Sequence, residues 1–344
     1  MKKPPPVAEF YRFPITAGVA MLAIFVTALD ASGRSIHELV MNVRAFEREP
    51  WRLVTSALPH ANALHLIFNV AWLWTLGTML EERFGSFRLL GLVLLFAAGS
   101  AAAEYAIFLG GIGLSGVVYG LFGLAWVLSR ADARLRGAVD PTSTWLFVGW
   151  FFLCIWLTVE DILPVANVAH GVGALLGVLG GLVITGGVRI AQRRAVVRAF
   201  AGLFALGVLG ASGAGATVLR PRVNLAKGAG ADSTRLGNEA FEAENYDEAI
   251  RRYHQALAVN PKRAIVWYNL GLAHARKGEL DEATRAYTQA VALAPEDEGL
   301  KRTLDEAMRL RARGGGGGGG GAQGDDLAAP PEGGDVEPES DAAP

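Results

Sequence analysis

Ser115, in Gly113-Leu114-Ser115-Gly116, opens one apolar run, and His170, in Ala169-His170-Gly171, lies inside another. A serine hydroxyl becomes a useful nucleophile when a base takes its proton and donors stabilise the oxyanion that forms. Ser115 is expected at the N-terminus of a short helix, where free backbone N–H groups and the positive end of the helix dipole favour developing negative charge. His170 is the expected base, because an uncharged imidazole can accept the serine proton. Glu160 and Asp161 fall in the loop before its helix, so no acidic neighbour completes a triad. The pair reads as a Ser-His dyad, and its setting suggests hydrolysis inside a membrane.

A third group is His60-x4-His65-x3-Asn69. His65 and Asn69 are four apart and share one helical face, so both can point at one oxyanion, whereas His60 is expected to pin the preceding loop. The set lacks a third convincing metal ligand and the HExxH pattern, so no metal and no cofactor is expected. His37, His254 and His274 have no partner pattern and are assigned solvated or packing roles.

The elements that must carry these residues are apolar. The chain has 344 residues, 51% of them hydrophobic, and a formal net charge of −1. No basic stripe of the kind that neutralises phosphates is present, which argues against a nucleic-acid partner. Cys154 is the single cysteine, so no disulfide framework is possible. Apolar runs fall near 14–29, 64–80, 88–109, 115–129, 144–160, 166–187 and 199–219. The fourth is too short to cross a full hydrocarbon layer unless its helix starts below the surface. Gly110-Gly111-Ile112-Gly113 would then be non-helical backbone at membrane depth, which survives only where protein or a water-filled cavity satisfies it. Gly116 and Gly120 on that run, and Gly173, Gly177 and Gly181 on the sixth, have the four-residue spacing of close membrane-helix contact.

Orientation is read from the basic residues of the short loops. Lys2, Lys3 and Arg12, then Arg83 and Arg88, then Arg130, Arg134 and Arg136, then Arg189, Arg193, Arg194 and Arg198 all fall on one side of a serpentine path. That side is cytoplasmic, and residues 1–13 form a cytoplasmic N-terminus. Arg34, Arg44, Arg48 and Arg52 lie on the other side, in a connection whose length makes its charges less decisive. The run 199–219 is read as a seventh transmembrane helix. If it spans, the region after 220 is outside the cytoplasm; if it lies at the interface, that region is cytoplasmic.

That region is soluble in character and internally repeated with a period of 34, the length of a helix-turn-helix tetratricopeptide (TPR) unit. Leu236-Gly237 recurs as Leu270-Gly271, Ala249 as Ala283, Tyr253 as Tyr287, Ala256 as Ala290 and Pro261 as Pro295. Residues 230–312 are thus read as two repeats plus a capping helix, a small solenoid whose concave face suits a peptide or protein partner. Residues 313–344, Gly-rich and acidic, bury too little apolar surface to order. The fold class is all-α, a polytopic membrane helix bundle followed by a small helical solenoid.

Taken together, the membrane motifs resemble the rhomboid family of intramembrane serine proteases. Trp51-Arg52 looks like that family's Trp-Arg pair in the first loop, and His60, His65 and Asn69 resemble its HxxxxHxxxN element. Gly113 to Gly120 resembles its GxSG motif with the following tyrosine, and Ala169 to Gly173 its AHxxG. Glu81 to Arg83 matches a conventional loop after the second helix. The resemblance implies a six-helix core within 14–190, with the seventh helix and the repeats outside it. It implies Ser115 as nucleophile, His170 as base, and His65, Asn69 and the Ser115 N–H as the oxyanion hole. Tyr119 would pack on His170, with His60, Gly113, Gly116, Trp51 and Arg52 supporting the site. The implied protein is a multi-pass serine endopeptidase of a bacterial cytoplasmic membrane, acting on transmembrane proteins that enter from the lipid bilayer and unwind near their outer ends. The rival class is a non-catalytic rhomboid-like protein that binds membrane proteins or serves as a scaffold. Loss of Ser115 or His170 would mark it, and neither is lost. Glu104 alone among acidic residues lies well inside an apolar run, too little for an ion pathway.

Overall fold

The computed structural model describes residues 1, 3–108, 110–160, 162–186, 194–220 and 230–314, and among these every regular element is helical. Lys2, Arg189 and Arg193 of the charge pattern lie outside the described residues, as does the tail from 315 onward. The chain divides into two compact units, the first ending at Arg220.

The membrane unit contains α1 (Pro14–Ala31), the short α2 (Arg52–Thr55), α3 (Ala63–Phe84), α4 (Ser86–Ile107), α5 (Ser115–Ala131), α6 (Pro141–Val159), α7 (Asn167–Thr185) and α8 (Arg194–Ala214), which continues as a π-helical turn, Gly215–Leu219. Six are long and apolar enough to cross a membrane, α8 among them, and α5 is the shorter one. The helix starts are written locally. The Asn62 side chain accepts the His65 N–H to cap α3, and Asp140 accepts the Ser143 N–H to cap α6, with Pro141 in the first turn. Gly85, at φ +80°, breaks the chain between α3 and α4.

Helix α5 is the axis of the bundle. Every residue from Gly116 to Ala125 is buried, and Leu121, Leu124 and Leu128 share one fully buried core with Leu73, Leu76, Leu80, Leu89 and Phe96. Seventeen residues give α5 a length of only ~26 Å, so it begins within the bundle. Glycines bring α7 against it. A Cβ on Gly173 would stand 2.2 Å from the Gly116 carbonyl oxygen, one on Gly177 2.0 Å from that of Gly120, and one on Gly123 2.3 Å from that of Ala174. Without a hydrophobic force between helices in lipid, such backbone approach supplies the packing that holds them. By contrast α6 touches its neighbours through the rings of Phe147, Trp150 and Phe151 and through Thr158, which accepts from Asn167 Nδ2 at 2.8 Å, while Trp145, Phe152 and Trp156 face outward.

Helix α8 runs the height of the bundle. Near its start Arg198 donates to the Ile184 carbonyl at the end of α7, Leu209 packs at Gly99 of α4, and Gly215 lies against Ala106 near the end of α4. Arg83 pairs with Asp132 at 2.7 Å at the opposite end from Ser115, joining the last turn of α3 to the residue that closes α5.

The second unit stacks α9 (Ala231–Glu242), α10 (Tyr246–Val259), α11 (Ala264–Arg276), α12 (Leu280–Leu293) and α13 (Glu298–Gly314). The 34-residue repeat has a direct physical basis. A Cβ on Gly237 would meet the Tyr253 ring at 2.5 Å, and one on Gly271 the Tyr287 ring at 2.7 Å, so each tyrosine fills the gap its glycine leaves. Ala249, Ala256, Ala283 and Ala290 are fully buried between paired helices. The turn inside each pair uses a left-handed residue, Glu244 (φ 57°) in the first and Gly278 (φ 79°) in the second. His274, without a partner pattern in the sequence, pairs with Glu279 at 2.7 Å.

A paired substitution tests the α5–α7 contact. Gly177→Ala drives a methyl into the Gly120 backbone and is expected to lower stability by about 2–3 kcal/mol, whereas Gly180→Ala meets nothing within 4 Å and is expected to be neutral or slightly stabilising. Thermal unfolding in detergent micelles reads both; equal midpoints would contradict the contact.

Candidate active site

Ser115 is the first residue of α5 and is half-buried. The first intrahelical bond there runs from the Val118 N–H to the Leu114 carbonyl, so the N–H groups of Ser115, Gly116 and Val117 point out of the helix start without helical partners. His170 is buried in the first turn of α7. The two helices cross at the neighbours of these residues: a Cβ on Gly116 would lie 3.5 Å from the Ala169 carbonyl oxygen. Tyr119, one turn after Ser115, stacks on the His170 ring at 4.6 Å between centroids and 24° between planes. Its hydroxyl donates to the Phe147 carbonyl at 3.1 Å, so the stack is fixed at both ends. Among the described residues no hydrogen bond joins Ser115 to His170, and His170 Nδ1 is buried without a partner. Aromatic stacking, not a carboxylate, therefore sets the orientation of the imidazole.

The backbone before Ser115 is held by the loop that precedes α3. The Gly113 N–H donates to the Ser56 carbonyl at 3.2 Å, and the Leu114 N–H donates to His60 Nε2 at 3.2 Å. His60 Nδ1 lies 2.9 Å from the Leu58 carbonyl, a partner that can only accept, so Nδ1 carries the proton and Nε2 is the acceptor. Burial, reinforced by His65, lowers the His60 pKa to about 4, which keeps the ring neutral and able to accept. Gly113 has φ +105°, and a Cβ there would stand 2.7 Å from the His65 ring; conformation and space both demand glycine. The His65 and His60 rings meet edge to face at 4.9 Å. Asn69 is buried, and its Nδ2 donates to the His65 carbonyl at 3.0 Å, leaving a second amide proton for another acceptor. Backbone N–H groups at the start of α5, with the His65 ring against Gly113 two residues before Ser115, can face the oxygen of a bound carbonyl.

Trp51 and Arg52 act within the first loop. Arg52 is 2% exposed, ion-paired to Glu49, and donates to the His37 and Val40 carbonyls, while Trp51 is exposed and donates from Nε1 to the Glu38 carbonyl. Their contact with the site is indirect, through the same loop that supplies Ser56.

Residues 47–187 match the Rhomboid domain family. The membrane unit carries a rhomboid domain. It is 31% identical over 192 residues to "Rhomboid protease GlpG" of Enterobacter sp. (strain 638), an alignment covering 49% of this chain and 66% of that protein. Proteins of the same name from Serratia proteamaculans (strain 568) and Yersinia pestis (strain Pestoides F) are 40% and 38% identical, each over 38% of this chain and 46% of their own length. The chain thus spans about half to two thirds of the length of these curated relatives. Residues 234–298 match the tetratricopeptide repeat family. Helix α8 lies outside the matched rhomboid domain.

One further residue of the rhomboid domain supports this arrangement. Glu104, buried in α4, accepts the Ala169 N–H at 2.8 Å and is hydrogen-bonded by the Val168 backbone. Helix α7 has no side-chain cap of its own, so Glu104 caps it from across the bundle, beside His170. Its isolation in an apolar run was the available signal. Replacing it by leucine strips the acceptor from two buried N–H groups and is expected to cost about 3 kcal/mol or more, while Glu104→Gln, which keeps one oxygen acceptor, costs about 1–2 kcal/mol. Thermal unfolding together with amide exchange at Val168 and Ala169 reads this order; full stability of Glu104→Leu would contradict the capping role.

Proposed function

We propose that this chain is an intramembrane serine endopeptidase that hydrolyses peptide bonds in or near transmembrane segments of other membrane proteins. The observation that carries the reading is Ser115 at a helix start embedded in the rhomboid domain, one helix contact from the Tyr119-stacked imidazole of His170. In the reaction, Ser115 Oγ attacks the scissile carbonyl and His170 takes its proton. The oxyanion receives hydrogen bonds from the Ser115 N–H, His65 and Asn69. Collapse of the tetrahedral intermediate transfers the proton from His170 to the leaving amine and leaves an acyl group on Ser115. Water, deprotonated by His170, then releases the acyl group and restores the serine. A helical peptide bond is shielded by its own hydrogen bonds, so a substrate segment unwinds before attack, and Gly or Pro near the cut favours it.

The packing of α6 supports lateral entry, since ring contacts and the Asn167–Thr158 hydrogen bond, not a glycine seam, hold it to the bundle. The basic residues Arg83, Arg130, Arg134 and Arg136 support a cytoplasmic face at the end opposite Ser115. Relatives from Enterobacter, Serratia and Yersinia support a bacterial cytoplasmic membrane. Helix α8 ends beside the end of α4, which supports an exit of the chain on the outer face, with the repeats there to bind a substrate or partner segment.

The test is cleavage of a model single-span protein in proteoliposomes. Ser115→Ala and His170→Ala are each expected to lower the rate by about 10⁴-fold or more. Undiminished cleavage by folded Ser115→Ala would overturn the reading.

A further inference from the structure

We propose that Arg220, beyond the rhomboid domain, is a positioning residue for the backbone that presents Ser115. The inference rests on the hydrolytic reading above for its functional meaning, but its geometry stands apart from it. Helix α4 ends at Ile107, seven residues before Leu114, with the Phe108 N–H donating to the Glu104 carbonyl. Arg220 Nη1 donates to two of the carbonyls there, those of Tyr105 and Phe108, and its guanidinium lies 3.5 Å from the centre of the Tyr105 ring. Arg220 is 8% exposed. A cation at a helix C-terminus is favoured by the dipole, and one seated on an aromatic face in a desolvated setting gains further.

The end of α8 is shaped to deliver this side chain. Over Gly215–Leu219 the helix widens to a π turn, closed by the Arg220 N–H donating to the Gly215 carbonyl at 2.8 Å. Such turns are uncommon and concentrate at functional positions. Gly215 lets the turn lie against α4, where a Cβ would come 2.8 Å from Ala106. Ala216 packs in a small separate core with Met41, Ala45 and Tyr105, and Tyr105 also stacks on Phe46 at 6.0 Å. Met41 in turn lies against Gly110. The π turn, the first loop and the end of α4 are therefore one cluster, and the Gly110–Leu114 segment starts from it. That segment's far end is pinned by Ser56 and His60; Arg220 and Tyr105 pin its near end. A segment fixed at both ends holds the Ser115 N–H in one place before substrate arrives, the condition for an oxyanion donor to act without reorganising.

The experiment uses the full chain in two arms. In a Ser115→Ala background, hydrogen–deuterium exchange by mass spectrometry reads the Gly113 and Leu114 amides. Arg220→Ala is expected to speed their exchange about tenfold, with α5 amides from 121 to 128 unchanged. In the Ser115 protein, Arg220→Ala is expected to lower kcat on the model single-span substrate about tenfold with KM within about twofold, and ethylguanidinium is expected to restore part of the rate. Unaltered exchange at Gly113 and Leu114 overturns the proposal whatever the kinetics. Because that arm has no nucleophile, absence of cleavage by the Ser115 protein counts against the hydrolytic reading and leaves the exchange result to decide the role of Arg220. If Arg220→Ala does not fold, Arg220→Lys decides: it keeps the charge but loses the planar fork, so exchange about threefold faster supports the proposal and unchanged exchange overturns it.

Discussion

The approach of α5 and α7 to backbone contact is the constraint on which the rest of the membrane unit depends. Gly173 and Gly177 face the carbonyls of Gly116 and Gly120 at distances that admit no side-chain atom. That seam sets the height and rotation of α7 against α5, and therefore places Ala169 against Gly116 and His170 against Tyr119. Neighbouring residues then adjust to it: Ser100 occupies the space a side chain at Gly116 would need, and Phe96 the space at Gly120. An exposed histidine on a mobile helix could not be held this way, because the Tyr119 stack requires the two helices to keep one register.

A second regularity follows from the solvent. In lipid the unpaired N–H and C=O groups at helix ends find no water, so they must be satisfied by protein. This unit does so with charged side chains reaching across the bundle. Glu81, at the end of α3, accepts the Ile15 and Thr16 N–H groups that open α1; Glu104 in α4 does the same for α7; Arg220 covers the carbonyls that close α4. Arg52 fills the same need for the first loop, donating to carbonyls that lie within it. Each of these buried polar side chains is positioned at a helix end or among backbone groups of opposite polarity, which offsets the cost of removing it from water.

Much of this was legible in the chain itself, and the reason differs by feature. The apolar runs and the 34-residue period are set by local composition and spacing, so the six long apolar helices and the shorter α5 of the membrane unit, and the paired helices of the repeats, follow from the sequence. The glycine spacing on α5 and α7 was readable because close helix approach admits few residue types, although Gly123, off the four-residue register, was not. Ser115, His170, His65 and Asn69 were singled out by type and spacing, and the structure shows where each lies. What could not be read was the long-range pairing of side chains with backbone. Glu104 and the Ala169 N–H are 65 residues apart, and Arg220 and Tyr105 are 115 apart; a backbone donor or acceptor leaves no trace in residue identity. The Ser56 carbonyl that receives the Gly113 N–H is the extreme case, since any residue supplies the same group. The left-handed Glu244, where the second repeat has Gly278, likewise needed the backbone to be seen.

In the proposed reaction Ser115 is a nucleophile made reactive by the imidazole of His170. Mapping the adduct of a serine-reactive fluorophosphonate on the intact protein by mass spectrometry tests it most directly. One modified residue, Ser115, is expected, with labelling abolished in Ser115→Ala and strongly slowed in His170→Ala. Modification at another serine, or labelling of Ser115 at an undiminished rate in folded His170→Ala, would contradict it.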